Sequence, residues 1–120
     1  MRIPYAEWTV GDETYKLKLT TSDICKLEEM FNTSLLNLIG NGAPALSVML
    51  KITHQAMTKF HHGKKLKDVQ ELFDQYSEEG GSHTSFMTDV FLPIYQASGF
   101  FSQAQAEQME ENLEDAKEQI

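Results

Sequence analysis

Residues 7–40 read "EWTVGDETYKLKLTTSDICKLEEMFNTSLLNLIG", and the reading of this stretch decides the fold. Trp8 and Val10 alternate with Glu7 and Thr9, and Tyr15, Leu17 and Leu19 alternate with Lys16 and Lys18. A two-residue period is that of strands with one buried face. With "GDET" as the loop, Val10 faces Tyr15, Trp8 faces Leu17 and Ala6 faces Leu19, while Glu7 and Lys18 form a charge pair on the open face. A lone two-stranded ribbon is marginal in water, so its apolar face requires helices or another chain.

After the hairpin the period changes to that of helices. "TTSD" supplies a hydroxyl cap and an acid, Asp23, at the positive end of a helix. Ile24, Leu27, Met30 and Phe31 form its expected stripe, flanked by Cys25. "SLLNLIG" is a short helix closed by "GNG". A central helix follows over about 44–62, with Pro44 in its first turn and Leu46, Met49, Leu50, Thr53, Met57 and Phe60 on one face. Val48, Ile52 and Ala56 widen that surface, so the helix is expected to pack on two sides. Val69, Leu72, Phe73 and Tyr76 mark another helix, closed by Gly80 and Gly81. Ser82 caps the next, with Phe86, Met87, Val90, Phe91 and Ile94 inward and a kink expected at Pro93. Gly99 ends it.

The expected fold is therefore mainly α with a short N-terminal β-hairpin, a compact bundle of about five to six helices in one domain. The hairpin occupies 5–20, the helical core 21–101 and an acidic C-terminal helix 102–120. In that last segment Ser102 and Gln105 have capping-box spacing, and Met109, Leu113, Ala116 and Ile120 form a thin seam amid acids. A thin seam suits a peripheral helix or one that pairs outside the chain.

Charge is uneven along the 120 residues: the net charge is −8, with residues 1–65 at +2 and residues 66–120 at −10. Such a chain is a poor general binder of nucleic acid, because phosphate neutralisation needs clustered cations. No apolar run approaches the ~20 residues of a membrane span. The N-terminus lacks the apolar core of a signal peptide, and the one cysteine has no internal disulfide partner. A soluble intracellular protein is the expectation.

The chemistry-bearing residues form no catalytic pattern. His54, His61 and His62 lack the four-residue spacing that places two imidazoles on one helix face, and Cys25 has no nearby ligand partner. Solvated histidines and a small core thiol are expected instead, with no metal and no cofactor. Serines sit at helix starts, and "GKK" at 63–65 lacks the rest of a phosphate loop. Glu28 and Glu29 point to different sides of a helix. No enzyme is expected.

Three features bear on partners. The turn "KFHHGKKLK" carries Lys64 and Lys65, which either complement the negative end of the central helix or receive an acidic segment, such as the last helix of a neighbouring copy in a homo-oligomer. Phe100 and Phe101 either plug the core or anchor a protein partner. Met49, Met57 and Met87 fit core filling, whereas Met109 with Leu113 and Ile120 is the preferred partner seam.

On Leu19-Thr20, Leu27-Glu28 and Ser34-Leu35-Leu36, the chain resembles the tail assembly chaperones of long-tailed phages and prophages. There, a strand ending in Leu-Thr precedes a helix carrying Leu-Glu and then a Ser-Leu-Leu-like short helix. The likeness covers about residues 5–60 in motif and the rest in size, helicity and acidity. It implies a non-enzymatic protein of the host cytoplasm that coats the tape-measure protein and helps recruit tail-tube subunits. It further implies absence from the finished virion and, in many members, a longer product made by ribosomal frameshifting. A head–tail connector or tail completion protein, and a small DNA-binding regulator using the basic turn, are the alternatives.

Overall fold

The computed structural model describes residues 4–40 and 42–100. The expected acidic helix over 102–120 lies outside these residues, as do Phe101, Met109, Leu113 and Ile120. Strands β1 (Ala6–Val10) and β2 (Glu13–Leu17) form an antiparallel hairpin. Six helices follow: α1 (Thr21–Phe31), α2 (Leu35–Gly40), α3 (Leu46–Met57), α4 (Leu66–Glu78), α5 (His83–Phe86) and α6 (Leu92–Ala97). A π-helical turn, Met87–Phe91, joins α5 to α6. The predominantly helical fold with an N-terminal hairpin is as the sequence implies.

The hairpin register differs from the expected one by two residues. Trp8 pairs with Tyr15, Ala6 with Leu17 and Glu7 with Lys16, and Val10 is opposite Glu13. The loop is therefore Gly11-Asp12, not "GDET". Gly11 takes φ +61° while Asp12 does not enter the positive-φ region, the pattern of a two-residue turn with glycine at its first central position. A side chain at Gly11 would also collide with Gln75 Nε2, 2.7 Å from the Cβ position. A shift of two keeps every side chain on its face, so Ala6, Trp8, Val10, Tyr15, Leu17 and Leu19 remain buried.

Each edge of this ribbon is held by a helix. The Gly11 N–H donates to Glu79 Oε1 (2.9 Å) just beyond α4. On the outer side of β2, the Lys16 N–H donates to His61 Nε2 (2.9 Å) and the Lys18 N–H to the Ala56 carbonyl (3.0 Å). Leu19 N–H donates to Ser98 Oγ (2.9 Å), tying the strand end to the end of α6. The inner face packs on α3, α4, α6 and the π turn. Trp8 lies at its centre, edge-on to Phe86 (5.1 Å) and Tyr76 (5.9 Å). Its Nε1 is buried with no hydrogen-bond partner among the described residues, a cost of about 1–3 kcal/mol that burial of the large ring offsets.

Helix α1 begins with a reciprocal cap: Thr20 Oγ1 accepts from the Asp23 N–H, and Asp23 Oδ2 accepts from the Thr20 N–H. Asp23 is buried, and its second oxygen accepts from Gln55 Nε2 (2.6 Å), which binds α1 to α3. Asn32, in the left-handed region at φ 53°, closes the helix. Of the expected stripe, Leu27 is buried and Ile24 and Phe31 are half-buried, but Met30 is 60% exposed. The reason is that α1 packs on α3 and α2 along a narrow line that Met30 misses. Cys25 is likewise exposed, not a core thiol.

Helix α3 is packed on two sides, with Met49, Leu50, Ile52, Thr53, Ala56 and Met57 buried against α4, β2, α1 and the π turn. It is shorter than expected: Ala45 is its N-cap, and beyond Met57 the chain tightens into turns, with Phe60 and His61 N–H groups both donating to the Met57 carbonyl. Phe60 therefore leaves the helical face and is 36% exposed. The break expected at Pro93 takes the form of the π turn. Proline crowds the carbonyl four residues back, here Asp89, and the wider turn makes room for the ring.

Tyr95 closes the core from below: its buried hydroxyl donates to the Leu35 carbonyl (2.8 Å). Burial, with the Glu28 charge, holds that phenol protonated well above its ordinary range. Replacing Tyr95 by Phe is expected to cost about 1 kcal/mol in chemical denaturation, with the fold unchanged. Gly81 lies flush against Tyr76, whose ring would be 2.4 Å from an added Cβ. Gly81→Ala is expected to destabilise by about 1–3 kcal/mol. Gly40→Ala, which meets nothing within 4 Å, is expected to leave the melting temperature unchanged or slightly raised.

Candidate interaction surface

Two surfaces outside the core gather unusual residues. The first is basic and aromatic, and begins with Lys16 on the open face of β2. Its Nζ lies 4.9 Å from the centre of the Tyr5 ring and 5.9 Å from that of Phe60, and these two rings meet edge-on at 5.9 Å. Lys59 Nζ stands 5.8 Å from Phe60, and Lys64 Nζ 5.6 Å from Tyr15. Cations at such distances from ring faces are weakly attracted, by about 0.5–1 kcal/mol where exposed.

His61 fixes the middle of this face. It stacks edge-on to Tyr15 (5.2 Å) while its Nε2 accepts the Lys16 N–H. That bond needs an unprotonated Nε2. Burial, then Lys64 and Lys16, lower the His61 pKa, against a smaller upward pull from Glu13. Lys64 is positioned from the other side, where its carbonyl lies 2.7 Å from His54 Nε2. Lys65 is exposed and precedes α4, its N–H donating to Asp68 Oδ2 (2.8 Å). The structure thus places Lys64 and Lys65 at one end of the basic face, while His62 is exposed beside it.

The second surface belongs to α1 and α2. Glu28 Oε2 accepts the Leu35 N–H (2.9 Å), so the carboxylate caps α2 from the preceding helix. Ser34 Oγ accepts from the Asn37 N–H (3.1 Å). Leu35 is buried, whereas Met30 and Leu36 (45% exposed) remain open to solvent. Cys25, Glu28, Glu29, Asn32, Thr33 and Ser34 line a shallow depression of about 500 Å³ alongside. A smaller apolar groove of about 260 Å³, between the start of α3 and α5, is lined by residues including Pro44, Leu46, Met49 and Met87.

Of the residues expected to meet partners, Phe100 is half-buried, its ring 4.9 Å from that of Tyr95. Among the described residues, no three His, Cys, Asp or Glu side chains are grouped to hold a metal ion. No described helix is long and apolar enough to cross a membrane. The gathering of Tyr5, Lys16, Phe60 and His61 was not foreseen: it joins positions up to 56 residues apart, and only the run of cations after Lys59 signalled it in the sequence. No family model, no curated protein and no solved structure matches this chain.

The lowered His61 pKa has a defined consequence for stability. The unfolded imidazole titrates near 6.5, above the folded one, so the unfolded state takes up the proton first as pH falls. The stabilisation from neutral His61 is complete above pH ~6.5 and is lost as pH drops toward the folded pKa. Denaturation curves of the parent protein and His61→Phe at a series of pH values check this. The variant is expected to lose less stability between pH ~7 and ~5 than the parent.

Proposed function

We propose that this chain is a non-enzymatic binding protein that covers apolar segments of another polypeptide. Within that class, we read it as a tail assembly chaperone of a long-tailed phage or prophage, acting on the tape-measure protein and helping to recruit tail-tube subunits. One observation carries the reading: the residues of the family resemblance form one continuous structural unit. Thr20 caps α1, Leu27 and Leu35 are buried beneath it, and Glu28 spans to the first turn of α2. The pattern therefore marks a way of joining a hairpin to two helices, not scattered identities.

The same unit leaves Met30 and Leu36 uncovered. An unbranched thioether beside a leucine is adaptable, which suits a partner offering successive apolar stripes. The strongly acidic second half of the chain would keep such a complex dispersed.

Co-expression with the long helical protein encoded beside it tests the reading. The client is expected to be soluble with this chain and insoluble without it. Met30→Asp with Leu36→Asp is expected to abolish the effect at an unchanged melting temperature. A client equally soluble alone, or this chain recovered at fixed stoichiometry in mature particles, would remove the chaperone reading and favour a connector or completion protein.

A further inference from the structure

We propose that the basic–aromatic face is the docking surface for this chain's own acidic segment, residues 102–120, within one molecule. The inference does not depend on the chaperone reading. Lys16, Lys59 and Lys64 hold their ammonium groups over Tyr5, Tyr15 and Phe60. Among the described residues none of these lysines is in an ion pair. The face therefore presents positive charge on an aromatic floor, and its complement is a peptide carrying carboxylates and a few apolar side chains.

Residues 102–120 have that composition. They contain six acids (Glu107, Glu110, Glu111, Glu114, Asp115, Glu118) against one lysine, with Met109 and Leu113 among them. Connectivity then selects this occupant. The Leu19 N–H bonds to Ser98 Oγ, so the chain leaves α6 beside the end of β2. Leu19 lies three residues along the strand from Lys16, a distance of about 10 Å. Glu107 follows Ser98 by nine residues, a reach of up to about 30 Å. The acids thus begin within easy reach of the lysines, and so short a connection gives an effective concentration in the millimolar range. Exposed charge pairs are individually weak, but several made together by a tethered segment are additive enough to hold it, and salt screens them.

Zero-length carbodiimide coupling of carboxylates to amines tests this on the full-length protein. The reaction is run on an equal mixture of ¹⁵N-labelled and unlabelled chains and mapped by mass spectrometry. Links from Lys16, Lys59 or Lys64 to Glu107–Glu118 are expected, with both peptides bearing the same isotope. Their yield is expected to fall several-fold at about 0.5 M salt, and likewise in Glu110→Gln/Glu111→Gln/Glu114→Gln and in Lys59→Glu/Lys64→Glu chains that melt as the parent does. Isotopically mixed links would overturn the proposal in favour of docking between copies. Links formed equally well to Lys26 and Lys51, which are exposed elsewhere, would overturn it altogether.

Discussion

The structure depends on one requirement: a two-stranded ribbon must bury its apolar face and satisfy its outer edge. Ala6, Trp8, Val10, Tyr15, Leu17 and Leu19 are all buried, and they are covered by helices that follow in sequence. The edge of β2 is met by the end of α3, which supplies a carbonyl at Ala56 and an imidazole at His61 where a third strand would otherwise lie. The central helix thereby does two tasks. Its middle is core, and its unwound end is an edge cap. This is why the cationic turn after Met57 stands against the hairpin and why its rings and lysines meet those of β2.

Polar groups inside the fold act as ties between elements. Asp23 accepts from its own cap and from Gln55, joining α1 to α3. Glu28 and Tyr95 bond the N–H and the carbonyl of Leu35 respectively, so α2 is fastened at its first residue from two sides. A helix of six residues has little stability of its own, and such fastening with burial of Leu35 holds it in place.

Much of this was legible in the sequence, for physical reasons that also set the limits. The hairpin showed in its two-residue alternation, yet its register did not, because a slip of two preserves both faces and only the Gly11-Asp12 turn distinguishes the alternatives. The capping of α1 was written in "TTSD", whereas the bond from Asp23 to Gln55 spans 32 residues and leaves no local trace. Met30 and Phe60 follow the helical period but lie where no neighbour reaches them or where the helix has ended. The basic end of the candidate surface was visible as a run of lysines; its aromatic floor was not, since Tyr5, Tyr15 and Phe60 come together only through the fold.

The π turn has a geometric result of its own. Nine positions separate Phe86 from Tyr95, which in an unbroken α-helix at about 100° per residue places them on opposite sides of the cylinder. One surplus residue in the wider turn subtracts about 100° from that, leaving them about 80° apart. A single rod can then offer its first aromatic to Trp8 and its last to Leu35 from nearly the same flank. Proline and the extra residue together act as a phase shifter, letting one helix serve both the ribbon and the two short helices that follow it.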